Sequence, residues 1–171
     1  HKIGGPKGIG ILYVRDGIKF SPLIYGGGQE RGLRSGTENV AGIVGFSKAL
    51  EISNKIGWNN CENVRDYIVE KLNQDKNIIV RGSMNSRIPN NLFFTIAGVD
   101  SEKLLYDLSN KGIYVSIGSA CDSKKEIEDF ALKAIGLNGK EMKSSLRVSL
   151  PIDVTKKAAD YFLKTLNDLI R

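Results

Sequence analysis

Residues 89–115, PNNLFFTIAGVDSEKLLYDLSNKGIYV, decide the fold class. Pro89-Asn90-Asn91 punctuates the chain, and the apolar run Leu92–Ile96 reads as a strand that Gly98 ends. Ser101 then offers a cap, and Leu104, Leu105 and Leu108 recur at helical spacing, with Asp107 and Asn110 near the end. Gly112 turns the chain into a second apolar run, Ile113-Tyr114-Val115. A strand, a helix and a strand in so short a stretch predict an α/β chain.

The pattern extends in both directions. Upstream, Val64, Tyr67, Ile68, Val69 and Leu72 mark an amphipathic helix, followed by a short strand at Ile78–Val80. Downstream, Ile127, Phe130, Ala131, Ala134 and Ile135 predict a helix that Gly136 ends, then a strand at Leu146–Leu150 and a last helix from Val154 to Ile170. Residues 58–171 are thus expected to form a small domain, a mixed sheet covered by helices. Residues 1–57 read differently. Ile11–Val14 and Ile18–Tyr25 predict two strands about an Asp16-Gly17 turn, the second interrupted by Pro22. Next comes a glycine-rich stretch, GGGQERGLRSGT (26–37), which is either a loop or a backbone that must pass close to something. A helix follows, with Thr37 as the offered N-cap, Val40, Ile43, Val44, Ala49 and Leu50 in period, and Gly57 at its end.

Composition excludes several classes. The 171 residues are 41% apolar and 26% charged, as in an ordinary globular protein. No apolar run approaches the roughly 18 residues that span a bilayer, and HKIGGPKG has no signal-peptide core. The expected location is the cytoplasm, with no membrane partner. The chain lacks an initial Met and is read as a fragment. Its net charge is +6, yet Lys and Arg are scattered and aromatics do not interleave with them, so no nucleic-acid partner is expected. With two cysteines, one histidine and no CxxC, no Cys/His metal site is expected either.

Four places could carry chemistry. Lys2 sits in His1-Lys2-Ile3-Gly4-Gly5; an amine there can link to an aldehyde cofactor, and the glycines let a large ring approach. Cys121 ends the small-residue run SIGSAC (116–121), a setting for an accessible thiol, whereas Cys61 at a helix start reads as structural. Arg147, in SSLRVSL (144–150), points away from the core if its strand alternates, and its planar fork suits a carboxylate. Arg34-Ser35-Gly36-Thr37 puts a hydroxyl and backbone N–H groups at a helix start, where an anion such as phosphate is favoured. Each also has a plain reading: a solvated turn, a core thiol, an exposed strand arginine, an ordinary cap.

Taken in order, HKIGGPKGIGILYVR, GGGQERGLRSGTENVAGIVGFSKAL, PNNLFFTIAGVDSEKLL, SIGSAC and SSLRVSL resemble cysteine desulfurases that serve iron–sulfur cluster assembly and nitrogenase maturation, within the class V aminotransferase group of PLP fold type I. The resemblance covers essentially the whole chain. It implies a C-terminal part of such an enzyme: residues 1–57 as the remnant of the large domain that binds pyridoxal 5'-phosphate (PLP), and 58–171 as the small α/β domain. It implies that Lys2 holds PLP and later moves protons, that His1 touches the cofactor phosphate, and that Thr37 reaches the phosphate bound in the other subunit of a homodimer. It further implies that Arg147 grips the α-carboxylate of L-cysteine and that Cys121 takes the sulfur as a persulfide. Alanine then leaves, and the sulfur passes to an acceptor or scaffold protein. Selenocysteine lyase shares the scaffold and is the alternative enzyme; a non-catalytic interaction module is the alternative outside enzymes. The half of the large domain upstream of the family's lysine is absent, so the chain alone is expected to bind PLP poorly and to be inactive. The charged segment DSKKEIED after Cys121, and Pro151-Ile152-Asp153 after the arginine strand, depart from the family pattern.

Overall fold

The computed structural model describes residues 1–118 and 130–171. The chain divides into two compact units, His1–Gly57 and Trp58–Arg171.

The second unit is built on a three-stranded sheet in the order β1-β2-β3: β1 (Ile78–Val80), β2 (Asn91–Ile96) and β3 (Ser145–Ser149). Both described pairings are antiparallel, where the alternation of elements predicts a mixed sheet. The register puts Ile78 beside Ile96, Val80 beside Phe94, Leu92 beside Val148 and Phe94 beside Leu146. Because side chains alternate along a strand, these residues share one face. Helices α2 (Asn59–Leu72), α3 (Ser101–Asn110) and α6 (Lys156–Ile170) contribute to the same core through Val64, Ile68, Leu72, Leu104, Leu108, Phe162 and Leu166. The other face carries Phe93, Thr95, Ser145 and Arg147. Phe93 packs there with Leu132 of α4 (Phe130–Ala134) and with Leu137. Covered on both faces, β2 is buried from Leu92 to Ile96.

Local chemistry sets the helix ends. Asp100, not Ser101, caps α3, its carboxylate accepting from the N–H groups of Glu102 (2.9 Å) and Lys103 (3.2 Å). Ser101 is the first helical residue, and its hydroxyl donates to Lys143 O at 2.8 Å. The predicted strand at Ile113–Val115 is reduced to a single bridge between Ser116 and Arg147. Of the predicted helix around Ile127–Ile135, the described part is α4; Ile127 lies outside the described residues. The short α5 (Gly139–Met142) has a full capping box: Asn138 accepts from the N–H groups of Lys140 and Glu141, and Glu141 accepts from the Asn138 N–H.

Glu141 also receives Arg81 at 2.5 Å, joining α5 to the residue that follows β1. The Asn138 N–H, opposed by partial burial and helped by Arg81, holds the Glu141 carboxyl below its ordinary range. A carboxyl lowered in the folded state adds stability above its unfolded pKa and loses it as pH falls through the folded value. The melting temperature should therefore drop on acidification below about pH 4.5, and Glu141→Gln should flatten that drop. Superimposable pH profiles for the two proteins would rule the contribution out.

In the first unit the main element is α1 (Val40–Ile56), capped by Asn39, whose side chain accepts from the Gly42 N–H at 3.0 Å. Gly45 inside α1 has a packing reason: a Cβ on it would stand 2.7 Å from Cγ of Pro6, so its lack of a side chain lets the N-terminal segment lie close against the helix there. The predicted strands at Ile11–Val14 and Ile18–Tyr25 do not form. No backbone hydrogen bond is made by Ile9–Val14 among the described residues, and Ile11, Leu12 and Tyr13 are exposed. Strand composition makes a ladder only where a neighbour takes the N–H and C=O groups, and this unit supplies none.

Candidate active site

His1, Lys2 and Thr37 belong to the first unit and all three are exposed. His1 and Lys2 form the first half of a turn closed by the Gly4 N–H donating to His1 O at 3.0 Å. Among the described residues the Lys2 amine makes no hydrogen bond or ion pair, and a Cβ on Gly4 would meet nothing within 4 Å. Thr37 does not cap α1; the helix starts at Val40 on the Asn39 cap, and the Thr37 hydroxyl is not engaged among the described residues.

The glycine-rich stretch is a shaped loop. Glu30 and Arg31 both adopt left-handed backbone, at φ 51° and 60°. That conformation costs a non-glycine residue about 1–2 kcal/mol. The Gly32 N–H holds the turn by donating to Gly28 O (2.9 Å) and Gln29 O (3.1 Å). Gly36, at φ 113°, occupies a region that favours glycine, and its N–H donates to Oε1 of Gln29 at 3.0 Å. Arg34 donates to Ser35 O at 2.5 Å. Gln29 is thus the residue that draws the loop together before Thr37. Sequence reasoning passed over it, although it is the one amide side chain within the glycine run.

Arg147 lies in the second unit, half-buried on β3. Its backbone is held on both sides. On one it is in register with Phe93 of β2; on the other it exchanges two hydrogen bonds with Ser116, Arg147 N–H to Ser116 O at 2.7 Å and Ser116 N–H to Arg147 O at 3.0 Å. Leu146 and Val148 face the main core, so the arginine side chain stands on the opposite face, as the alternation predicts. Among the described residues its guanidinium has no hydrogen-bond or ion-pair partner and is open to an anion. Cys121 lies outside the described residues, five positions after Ser116. Five extended residues span at most about 18 Å.

Cys61 is fully buried at the start of α2, and its thiol donates to Pro151 O at 3.0 Å. Burial, helped by the charge of Asp153, pushes this thiol above its ordinary range, which disfavours the reactive thiolate. Among the described residues no group of three His, Cys, Asp or Glu is placed to hold a metal, and no helix is long and apolar enough to cross a membrane.

The donor set suits PLP in kind: an exposed primary amine for the aldehyde, and a hydroxyl and an imidazole for the phosphate. The chain matches the aminotransferase class-V family over residues 1–162, and it belongs to that family. Within it, the cysteine desulfurase IscS of Clostridium botulinum is 40% identical over the whole of this chain, which covers 45% of that protein. A NifS-like protein of known structure superposes with a TM-score of 0.87 at 36% identity, over 99% of this chain and 44% of that one. A third, described as SspA in complex with cysteine, gives 0.64 at 34% identity, over 88% of this chain and 42% of that one. The chain therefore spans somewhat less than half the length of the relatives it matches. The fold is α/β of the PLP type I group, and the curated names do not favour the selenocysteine alternative.

Proposed function

We propose that this chain carries the sulfur-accepting part of a PLP-dependent cysteine desulfurase, which moves sulfur from L-cysteine to Cys121 and releases L-alanine. The observation that carries the reading is the Ser116–Arg147 bridge. It puts an arginine whose guanidinium has no partner among the described residues beside Ser116, five positions before Cys121. Membership of the class-V family supports it, as does the relative named for its complex with cysteine.

In this reading residues 1–57 are the remnant of the large PLP-binding domain and 58–171 the small domain. Arg147 binds the substrate carboxylate through its planar fork, which fixes the orientation of the amino acid. Lys2 holds PLP and moves a proton at the substrate carbon, while His1 takes the cofactor phosphate and Thr37 the phosphate of the other subunit in a homodimer. When bound, PLP supplies an electron-accepting ring that makes the bonds about the substrate carbon breakable. The Cys121 thiolate forms an S–S bond to the substrate sulfur as the substrate C–S bond breaks. The carbon left behind takes a proton and departs as alanine, and the Cys121 persulfide is passed to an acceptor protein in the cytoplasm.

The test is to supply L-cysteine and PLP to the protein as the cell makes it and to quantify alanine and sulfide, with a thiol reductant as acceptor. The two products are expected in equal amounts. Absence of alanine would leave the interaction-module reading standing. Preference for L-selenocysteine, read as faster alanine release from it, would move the assignment to the lyase.

A further inference from the structure

The bridge to Arg147 has a geometry that assigns Ser116 a role of its own. Ser116 lies outside the three strands, in an isolated pair, so no neighbouring ladder supports it. Two short bonds, 2.7 and 3.0 Å, make it the hydrogen-bonded kind of antiparallel pair. Its own neighbours pin it: Val115 and Ile117 both pack against the main core, which turns Ser116 towards the face where Arg147 stands. Across the arginine, Phe93 is buried under Leu132 and Leu137. The backbone of Arg147 is thus fixed from both sides by residues anchored in two different apolar clusters, while its guanidinium has no hydrogen-bond or ion-pair partner among the described residues.

We propose that Ser116 is a positioning residue for Arg147, acting through its backbone and not its hydroxyl. The inference rests on the reading that Arg147 grips a substrate carboxylate. Holding a charged fork in place matters because a displacement of about 1 Å in a binding group can cost up to about 10²-fold in efficiency. Without the bridge, β3 would be an edge strand at this residue among the described residues, with its N–H and C=O unpaired on that side.

Backbone and hydroxyl roles separate by mutation. Ser116→Ala keeps both bonds and should leave KM for L-cysteine within about twofold. Ser116→Pro removes the N–H that donates to Arg147. It should raise KM about tenfold or more while kcat at saturating substrate falls less than threefold. An unchanged KM in a folded Ser116→Pro protein, or an equal loss in Ser116→Ala, overturns the proposal.

A second measurement needs no variant and no turnover. The amides of Ser116 and Arg147 should exchange with solvent together, with protection within about threefold of each other. L-Alanine, which has the carboxylate but no sulfur to react, should raise both. A Ser116 amide unprotected while that of Arg147 responds to L-alanine overturns the positioning role alone. Joint protection with no response of either amide overturns Arg147 as the carboxylate grip, and the proposal with it.

Discussion

Cys121→Ala is expected to lower alanine release from L-cysteine by at least about 10³-fold, the scale on which loss of a nucleophile falls. Cys61→Ala should leave it within about twofold. The expectation for Cys61 follows from its surroundings. Cys61 is inside the core, its S–H donates a hydrogen bond to Pro151 O, and burial pushes it towards the neutral form. A sulfur atom that must attack another sulfur needs both exposure and thiolate character, and Cys61 has neither. The assay is alanine quantified over time with PLP present in both variants. Unchanged release in Cys121→Ala would overturn the assignment of the nucleophile, and equal losses in the two variants would point to damage to the fold.

The second large effect is on stability. Phe94→Ala should destabilise the second unit by about 3–5 kcal/mol. Phe94 is fully buried on the central strand, between its register partners Val80 and Leu146, on the face the helices cover. Removing the ring leaves a cavity between the sheet and the helices that cover it, whose close-packed walls cannot collapse cheaply. Set against the 5–15 kcal/mol of a typical domain, such a loss moves the midpoint of denaturant unfolding down by about a fifth or more. Far-UV circular dichroism against urea reads it directly. A change under about 1 kcal/mol would show that the sheet face is not close-packed around this residue.

What the sequence revealed depended on how local the controlling physics is. Helix α2 and strand β2 were legible because each carries its own period and its own punctuation. The start of α1 was misplaced because Thr37 and Asn39 are both competent caps, and only the folded chain shows that the hydrogen bond comes from Gly42 to Asn39. Helix α5 went unread even though Asn138 followed three residues later by Glu141 is a recognisable capping-box pattern. Ile11–Val14 has the composition of a strand, but no period reports whether a neighbour exists to pair with it. Arg65 looks like a surface charge, yet it is 3% exposed, paired with Glu62 and Asp66 and donating to Ile88 O. As for the candidate site, Lys2, Thr37, Cys121 and Arg147 were each ordinary in isolation, and their order along the chain drew them together. The pairing of Ser116 with Arg147 had no signal at all, because it joins backbones far apart in sequence and is indifferent to the side chains involved.

That pairing has a consequence for how such a chain can diverge. Ser116 is tied to Arg147, and Leu132 packs on Phe93, the register partner of the same arginine. Ser116 and Leu132 are therefore both moored at the row of the sheet that Arg147 occupies. Insertions or deletions between these two positions change the length of chain that joins two fixed points, by up to about 3.5 Å for each residue. On the proposed reading, the reach of Cys121, and so its choice of acceptor, can change independently of how Arg147 holds the amino acid.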